Sequence, residues 1–257
     1  MAKNQETSPI SGTIKRAKTR KRGASPYKIH RRVREPVSPS KGRVVGYYAS
    51  HKNQRPIGWE SQLELKACML MEFSHQVKSY HEQPATLYFP CKGRVCKYTP
   101  DFEIRTKSGS TFFVEVKPLV RVNDPRIKEL LCAASDFLGE RGFGYVVLTE
   151  EELIKPELLR NLTMLKPYLL HRLNGDEIKI LKRSLKKNDA ASLETLSKVS
   201  GSLKNVYSFI AHGHASAPLA KPLDLDTEIS LTSESNRENF LFNGRVAPDF
   251  EQCELSY

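Results

Sequence analysis

The stretch that decides the fold runs Thr99-Pro100-Asp101-Phe102-Glu103-Ile104-Arg105-Thr106, turns at Lys107-Ser108-Gly109-Ser110, and continues Thr111-Phe112-Phe113-Val114-Glu115-Val116-Lys117-Pro118. Small polar residues around Gly109 mark a hairpin turn, and the β-branched and aromatic run after it reads as a strand. Side chains two apart on a strand share a face, so Glu115 and Lys117 project together while Val114 and Val116 project the other way. Asp101 opens the neighbouring strand and is expected beside Glu115. Two carboxylates about 4 Å apart repel by about 4 kcal/mol at an effective dielectric near 20, so they stay ionised together only around a cation. Ligation by carboxylate oxygens suits Mg²⁺, with Mn²⁺ as a substitute. Lys117 is then placed to orient or polarise a water, or to offset charge developing on a phosphate. Singly, each piece is ordinary: Pro-Asp is common turn chemistry and Glu-X-Lys a frequent surface charge pair. Their conjunction inside an otherwise apolar strand favours the metal-site reading.

Upstream, Trp59–Phe73 is predicted as a helix with Leu63, Ala67, Leu70 and Met71 on one face and Glu60 and Glu64 one turn apart. Glu64, next to Leu63 in the apolar stripe, supplies a third carboxylate if that helix packs across the sheet. Glu82-Gln83-Pro84 breaks the pattern, and Thr86–Phe89 and Lys97–Ile104 read as strands flanking a Cys91–Cys96 tip. Gln83 reads equally as a site-positioning residue and as a turn residue. Downstream, Asp124-Pro125 provides an N-cap and a first-turn proline for a helix that Gly139 ends. Tyr145–Leu148 is a short apolar strand suited to a sheet covered on both faces. The predicted class is α/β, a mixed sheet flanked by helices.

Beyond Glu150 the texture turns helical: Pro156–Leu173, Asp176–Lys187, then Ala190–Ser200 and Ser202–His212 around Gly201 at helix-turn-helix spacing. A strand at Thr227–Leu231 would complete a small winged-helix domain. Four units are expected: a disordered basic arm over 1–44, a catalytic domain over 45–152, the winged-helix domain over 153–235 and a flexible tail over 236–257. Phe240, Leu241, Phe242, Phe250 and Tyr257 make the tail either a docking peptide or a frayed end.

The net charge of +12 over 257 residues is unevenly spread. Residues 1–44 hold 13 Lys and Arg against two acids, whereas the remaining 213 carry 28 basic and 27 acidic side chains. A polycation on a neutral body implies an anionic partner. Lys15, Arg16, Lys18, Arg20, Lys21, Arg22, Arg31 and Arg32 are the expected DNA-binding residues. No apolar run approaches bilayer length, the first residues have no secretory h-region, and five cysteines suit reduced thiols. A cytoplasmic chain without membrane contact is expected. The Cys91–Cys96 pair lacks a second ligand pair for zinc, and no P-loop, GxGxxG or nucleophile elbow is present.

The order Glu64, Asp101, Glu115, Lys117 resembles the PD-(D/E)XK, restriction-endonuclease-like nucleases. The fuller run Trp59–Glu64, Met71-Glu72-Phe73, Glu82-Gln83-Pro84, Thr99–Phe102 and Val114–Pro118 more specifically resembles TnsA, the endonuclease subunit of heteromeric transposases, over about residues 45–235. The resemblance implies a Mg²⁺-dependent DNA endonuclease that nicks the 5′ ends of a mobile element. It implies partnership with a TnsB-like DDE transposase and a TnsC-like AAA+ ATPase regulator, and a nucleoid-associated place in a bacterial cytoplasm. It implies metal ligands Glu64, Asp101, Glu115 and the Val116 backbone carbonyl, with Lys117 as the catalytic lysine. Two other readings stay open: a free-standing restriction-like or junction-resolving nuclease, and a non-enzymatic DNA-binding scaffold.

Overall fold

The computed structural model describes residues 12–16, 44–232, 241–253 and 255. The strand Thr13–Arg16 (β1) comes first, then a hairpin of Gly46–Ser50 (β2) and Arg55–Trp59 (β3) and the helix Gln62–Phe73 (α1). Ser61 starts α1 by accepting the Glu64 N–H on its side chain. Val77–Glu82 (β4), Ala85–Cys91 (β5), Arg94–Tyr98 (β6), Phe102–Thr106 (β7) and Thr111–Val116 (β8) follow in close succession. A short helix Leu119–Val122 (α2) leads to Pro125–Gly139 (α3), where Asp124 accepts the N–H groups of Arg126 and Ile127 ahead of the first-turn proline. Gly144–Leu148 (β9) and Glu150–Leu153 (α4) close this part.

Strands β9, β8, β7 and β4 lie side by side, with β8 antiparallel to β7 and parallel to β9. The register sets Val114 opposite Val146 and Glu115 opposite Val147. On one face Val114, Val116, Val146 and Leu148 pack with Ala67, Leu70 and Met71 of α1. On the other, Phe113, Tyr145 and Val147 pack with Leu131, Ala134, Phe137 and Leu138 of α3 and with β5. Side chains alternating between two covered faces account for the apolar runs of β8 and β9.

Lys97–Ile104 is two strands, not one. Thr99-Pro100-Asp101 breaks it, because proline offers no ladder N–H. Accordingly β6 stays with β1 and β5 in a separate three-stranded sheet while β7 crosses into the central one. Asp101 stands at that crossing. The helix expected from Trp59 begins only at Gln62, since Trp59 ends β3 opposite Gly46.

The C-terminal part comprises Pro156–Leu165 (α5), a 3₁₀ turn at Lys166–Leu170, Gly175–Asn188 (α6), Ala190–Ser192 (β10), Leu193–Ser200 (α7), Leu203–Ala211 (α8), Ala215–Ser216 (β11) and Glu228–Leu231 (β12). The small sheet runs β10-β12-β11. Leu181, Leu185, Leu193, Leu196, Val206, Phe209 and Ile229 form its core.

Both chain ends depart from expectation. Inside the stretch read as a disordered arm, β1 pairs antiparallel with β5, Ile14 opposite Leu87. Ile14 joins the core beneath α3, Lys15 sits 4.8 Å over the Tyr88 ring, and Arg16 pairs with buried Glu103. Ile14, just ahead of the two cations, gives the strand its apolar contact. Lys18, Arg20, Lys21, Arg22, Arg31 and Arg32 lie outside the described residues.

The flexible tail expected over 236–257 is corrected likewise. Gly244–Val246 (β13) and Glu251–Cys253 (β14) extend the central sheet to β14-β13-β9-β8-β7-β4. Phe242 enters the core on the α1 face and Phe250 the core on the α3 face. Arg245 fastens β13 by donating to Glu152 at 3.0 Å, to Glu151, and to the Phe250 carbonyl at 3.3 Å. Glu152 is fully buried and Arg245 only 11% exposed. Replacing Arg245 by Ala takes the cation from a buried carboxylate that keeps hydrogen bonds from Thr149 and Gln252, and is expected to cost up to about 3–5 kcal/mol, read as a lower urea midpoint at unchanged slope. A midpoint equal to that of the parent would show that the tail is not fastened this way.

Candidate active site

The four residues singled out in the sequence converge at the C-terminal end of β8. Glu115 is 3% exposed, and its two carboxylate oxygens are both engaged. Lys117 Nζ donates to Oε1, as the shared strand face requires. Tyr98 Oη donates to Oε2 at 2.5 Å and lies 2.6 Å from Tyr145 Oη. Asp101, just before β7, accepts the Val116 N–H on Oδ2 at 2.8 Å. Thus Val116, expected to contribute its carbonyl, also fixes Asp101 through its amide. Glu64 folds back over the start of α1, accepting the Glu60 N–H at 2.8 Å and the Ser61 hydroxyl at 3.0 Å.

Electrostatics tie the three acids together. Burial, then the charges of Glu115 and Glu64, push the Asp101 carboxyl well above its usual range, against the opposing Val116 N–H and Lys117. Burial raises Glu64 too; the Glu60 N–H and Ser61 hydroxyl oppose it, and the Glu60 and Glu115 charges add to it. Burial works against a charged Lys117, but Glu115 and Asp101 outweigh it and hold the ammonium above its ordinary value. Lys117 is therefore a cation at neutral pH, a donor and not a proton acceptor.

An all-oxygen donor set of three carboxylates fits a hard divalent cation in its chemistry. Among the described residues, however, no group of three or more His, Cys, Asp or Glu side chains is arranged to hold a metal ion. Glu115 is spent on Lys117 and Tyr98, and Glu64 on its own helix terminus. Closing three carboxylates on an ion requires Glu64 and Lys117 to turn.

Several contributors went unnoticed in the sequence. Tyr98, kept protonated by burial and by Glu115, donates to that carboxylate, and Tyr145, held protonated likewise, meets the Tyr98 hydroxyl behind it. Tyr98 lies three residues before Asp101, a signal that a strand break at Pro100 would have made legible. Gln83 does act on the site: its N–H donates to the Asp101 carbonyl at 2.8 Å and its Nε2 to Glu60 at 3.0 Å. It adopts φ 43°, a left-handed conformation that costs a non-glycine residue about 1–3 kcal/mol. Glu60, one turn before Glu64, thereby accepts from Gln83. Glu82 pairs with Arg55 at 2.6 and 2.8 Å and accepts the Gly58 N–H, holding β3 next to β4. Lys15 and Arg16 lie on β1 and are engaged with Tyr88 and Glu103.

A mixed α/β sheet with a Pro-Asp strand entry and a Glu-X-Lys strand end is consistent with the PD-(D/E)XK nuclease class. Residues 74–150 match the family model described as TnsA-like endonuclease N terminal, so this segment carries a TnsA-like endonuclease domain. Asp101, Glu115 and Lys117 fall inside the matched segment, whereas Glu64 lies before it and rests on geometry. No curated protein matches the chain.

A carboxyl whose folded pKa is raised favours folding most at low pH, where both states are protonated. That contribution is lost as pH rises through the folded value. Asp101→Asn keeps an acceptor for the Val116 N–H and cannot ionise. In chelator it is expected to melt above the parent at pH 7–8 and to show a flatter fall in stability with rising pH. An equal or lower melting temperature at pH 8 would mean that Asp101 is not electrostatically strained.

Proposed function

We propose that the protein is a Mg²⁺-dependent DNA endonuclease subunit that nicks the 5′ ends of a mobile element during cut-and-paste transposition. The observation that carries this reading is the junction of Glu64, Asp101, Glu115 and Lys117, three of them inside a TnsA-like endonuclease domain. Glu64, Asp101, Glu115 and the Val116 carbonyl would hold Mg²⁺, or Mn²⁺ in its place. The ion, when bound, stabilises charge on the phosphate as a Lewis acid. Tyr98 and Tyr145 orient the Glu115 carboxylate from below. Lys117, kept protonated by Glu115 and Asp101, presents N–H donors to oxygens that gain charge in the transition state. The Val116 N–H fixes Asp101 across the strand pair, so both acids are set by backbone positions.

The finer assignments follow the same resemblance. A DDE transposase would cut and join the 3′ ends, and an AAA+ ATPase would regulate the assembly. The order α6-β10-α7-α8-β11-β12, with its sheet ordered β10-β12-β11, supports a winged-helix reading of the C-terminal part. In such a domain α8 would occupy the recognition position: it buries Val206, Phe209 and Ile210 against the domain core and leaves Lys204 exposed. Among the described residues no helix is long and apolar enough to cross a membrane, which fits action on DNA in a bacterial cytoplasm.

In a transposition reaction reconstituted with the transposase and ATPase partners, Asp101→Ala and Lys117→Ala are each expected to lower 5′ nicking by about 10²–10³-fold or more. Cleavage of the 3′ ends should survive. Unchanged 5′ nicking by both variants, with the folds intact by circular dichroism, would overturn the assignment. Nicking should also stop in chelator and return with Mg²⁺ or Mn²⁺ but not Ca²⁺.

A further inference from the structure

A second concentration of titratable groups lies between the β2–β3 turn and the C-terminal helices. A cavity of about 230 Å³ is lined there by His51, Arg172, Leu173, Ile178, His212 and His214. It shares no residue with the acidic site. No carboxylate lines it, and its polar wall is one guanidinium and three imidazoles, all able to donate N–H groups. Its volume is below the ~300–1,000 Å³ usual for small-molecule sites, which favours a small ligand.

The wall is held by backbone. Buried Glu72 accepts the N–H groups of His51 and Lys52 at 2.8 Å each, together with the Ser50 and Tyr80 hydroxyls, which fixes the turn that carries His51. The His51 and His212 rings meet edge to face with centroids 5.9 Å apart. His212 caps α8 and its Nε2 bonds the His171 carbonyl at 3.1 Å, which puts the proton on Nε2 in the neutral ring. His214 lies against Phe209 with centroids 5.3 Å apart. Between them Gly213 adopts φ 67°, and a Cβ there would come within 1.4 Å of the His75 ring. Only glycine lets the backbone pass and deliver histidines on either side.

The surroundings of His212 disfavour a further positive charge there. Burial holds His212 below its ordinary pKa; the His171 carbonyl opposes this, and His51, Arg172 and the His171 ring add to the depression. A cation would make the crowding worse, and among the described residues no histidine group is arranged for a metal. An anion relieves it.

We propose that this cavity is a phosphate-binding site, which takes either a backbone phosphate of duplex DNA or free inorganic phosphate through Arg172 and the surrounding imidazoles. The proposal is independent of the metal-site reading, so it is tested on the full chain carrying Asp101→Ala in chelator, where no cleavage intervenes. Inorganic phosphate titrated against the imidazole NMR signals is expected to shift those of His51 and His212 saturably. Arg172→Ala, at an exposed position, and His212→Gln should each weaken this binding about threefold or more.

A labelled duplex supplies the second arm. If the ligand is a backbone phosphate, the same variants weaken duplex binding about three- to tenfold and reduce its salt slope by about one. Duplex binding that the variants leave unaltered, alongside a phosphate response that they weaken, assigns the site to the free ion. No saturable shift in the parent, or a shift that both variants leave unchanged, overturns the proposal.

Discussion

The pair between Lys117 and Glu115 is the interaction on which the acidic site depends. Asp101 and Glu64 both feel Glu115 as a like charge, and both are driven toward their protonated forms. Without the ammonium on Oε1 and the Tyr98 hydroxyl on Oε2, the strand end would gather negative charge with nothing to balance it. The period-two alternation of β8 makes the arrangement possible. Val114 and Val116 anchor the strand in the core on the α1 face, which frees Glu115 and Lys117 to face Tyr98 and Tyr145. The chemistry thus borrows its precision from a packed hydrophobic layer one residue away.

A second pattern concerns three further buried glutamates. Glu103 pairs with Arg16 on β1, Glu82 with Arg55 on β3, and Glu152 with Arg245 on β13. In each case an arginine from a peripheral strand reaches a carboxylate that is nearly or fully inaccessible. Breaking such a pair costs more than forming it contributes, so these contacts fix where the accessory strands attach more than they add net stability. The same logic explains why a sequence nearly neutral after residue 44 keeps so many charges inside.

The central hairpin, α3 and β9 were legible because each follows from a local signal: alternation, a capped proline start, a short apolar run. Glu115 and Lys117 were legible for the same reason, since a strand fixes its own side-chain faces. What escaped was set by contacts distant in sequence. Nothing local shows that Thr13–Arg16 pairs with Tyr88, or that Arg245 lies opposite Val147. Charge-rich flanks with scattered apolar residues read as arm and tail, because the partner surfaces that seat Ile14, Phe242 and Phe250 are built elsewhere. Pro100 is an intermediate case. Its effect on a strand is a local rule, but the switch of sheet that places Asp101 is a tertiary consequence.

The attachment of β13 and β14 bears on how the molecule comes into being. The central sheet takes its last two strands from residues 244–253, next to β9 at 144–148. Such pairings raise the mean sequence separation of contacts and slow folding, since the long loop must close before the contacts form. During synthesis, β9 therefore waits with an unpaired edge, and Glu152 without its arginine, until about a hundred further residues have been added. An edge of that kind invites wrong pairing. The acids and the lysine of the site are complete in sequence by Lys117, but the sheet that supports them closes only when the tail arrives.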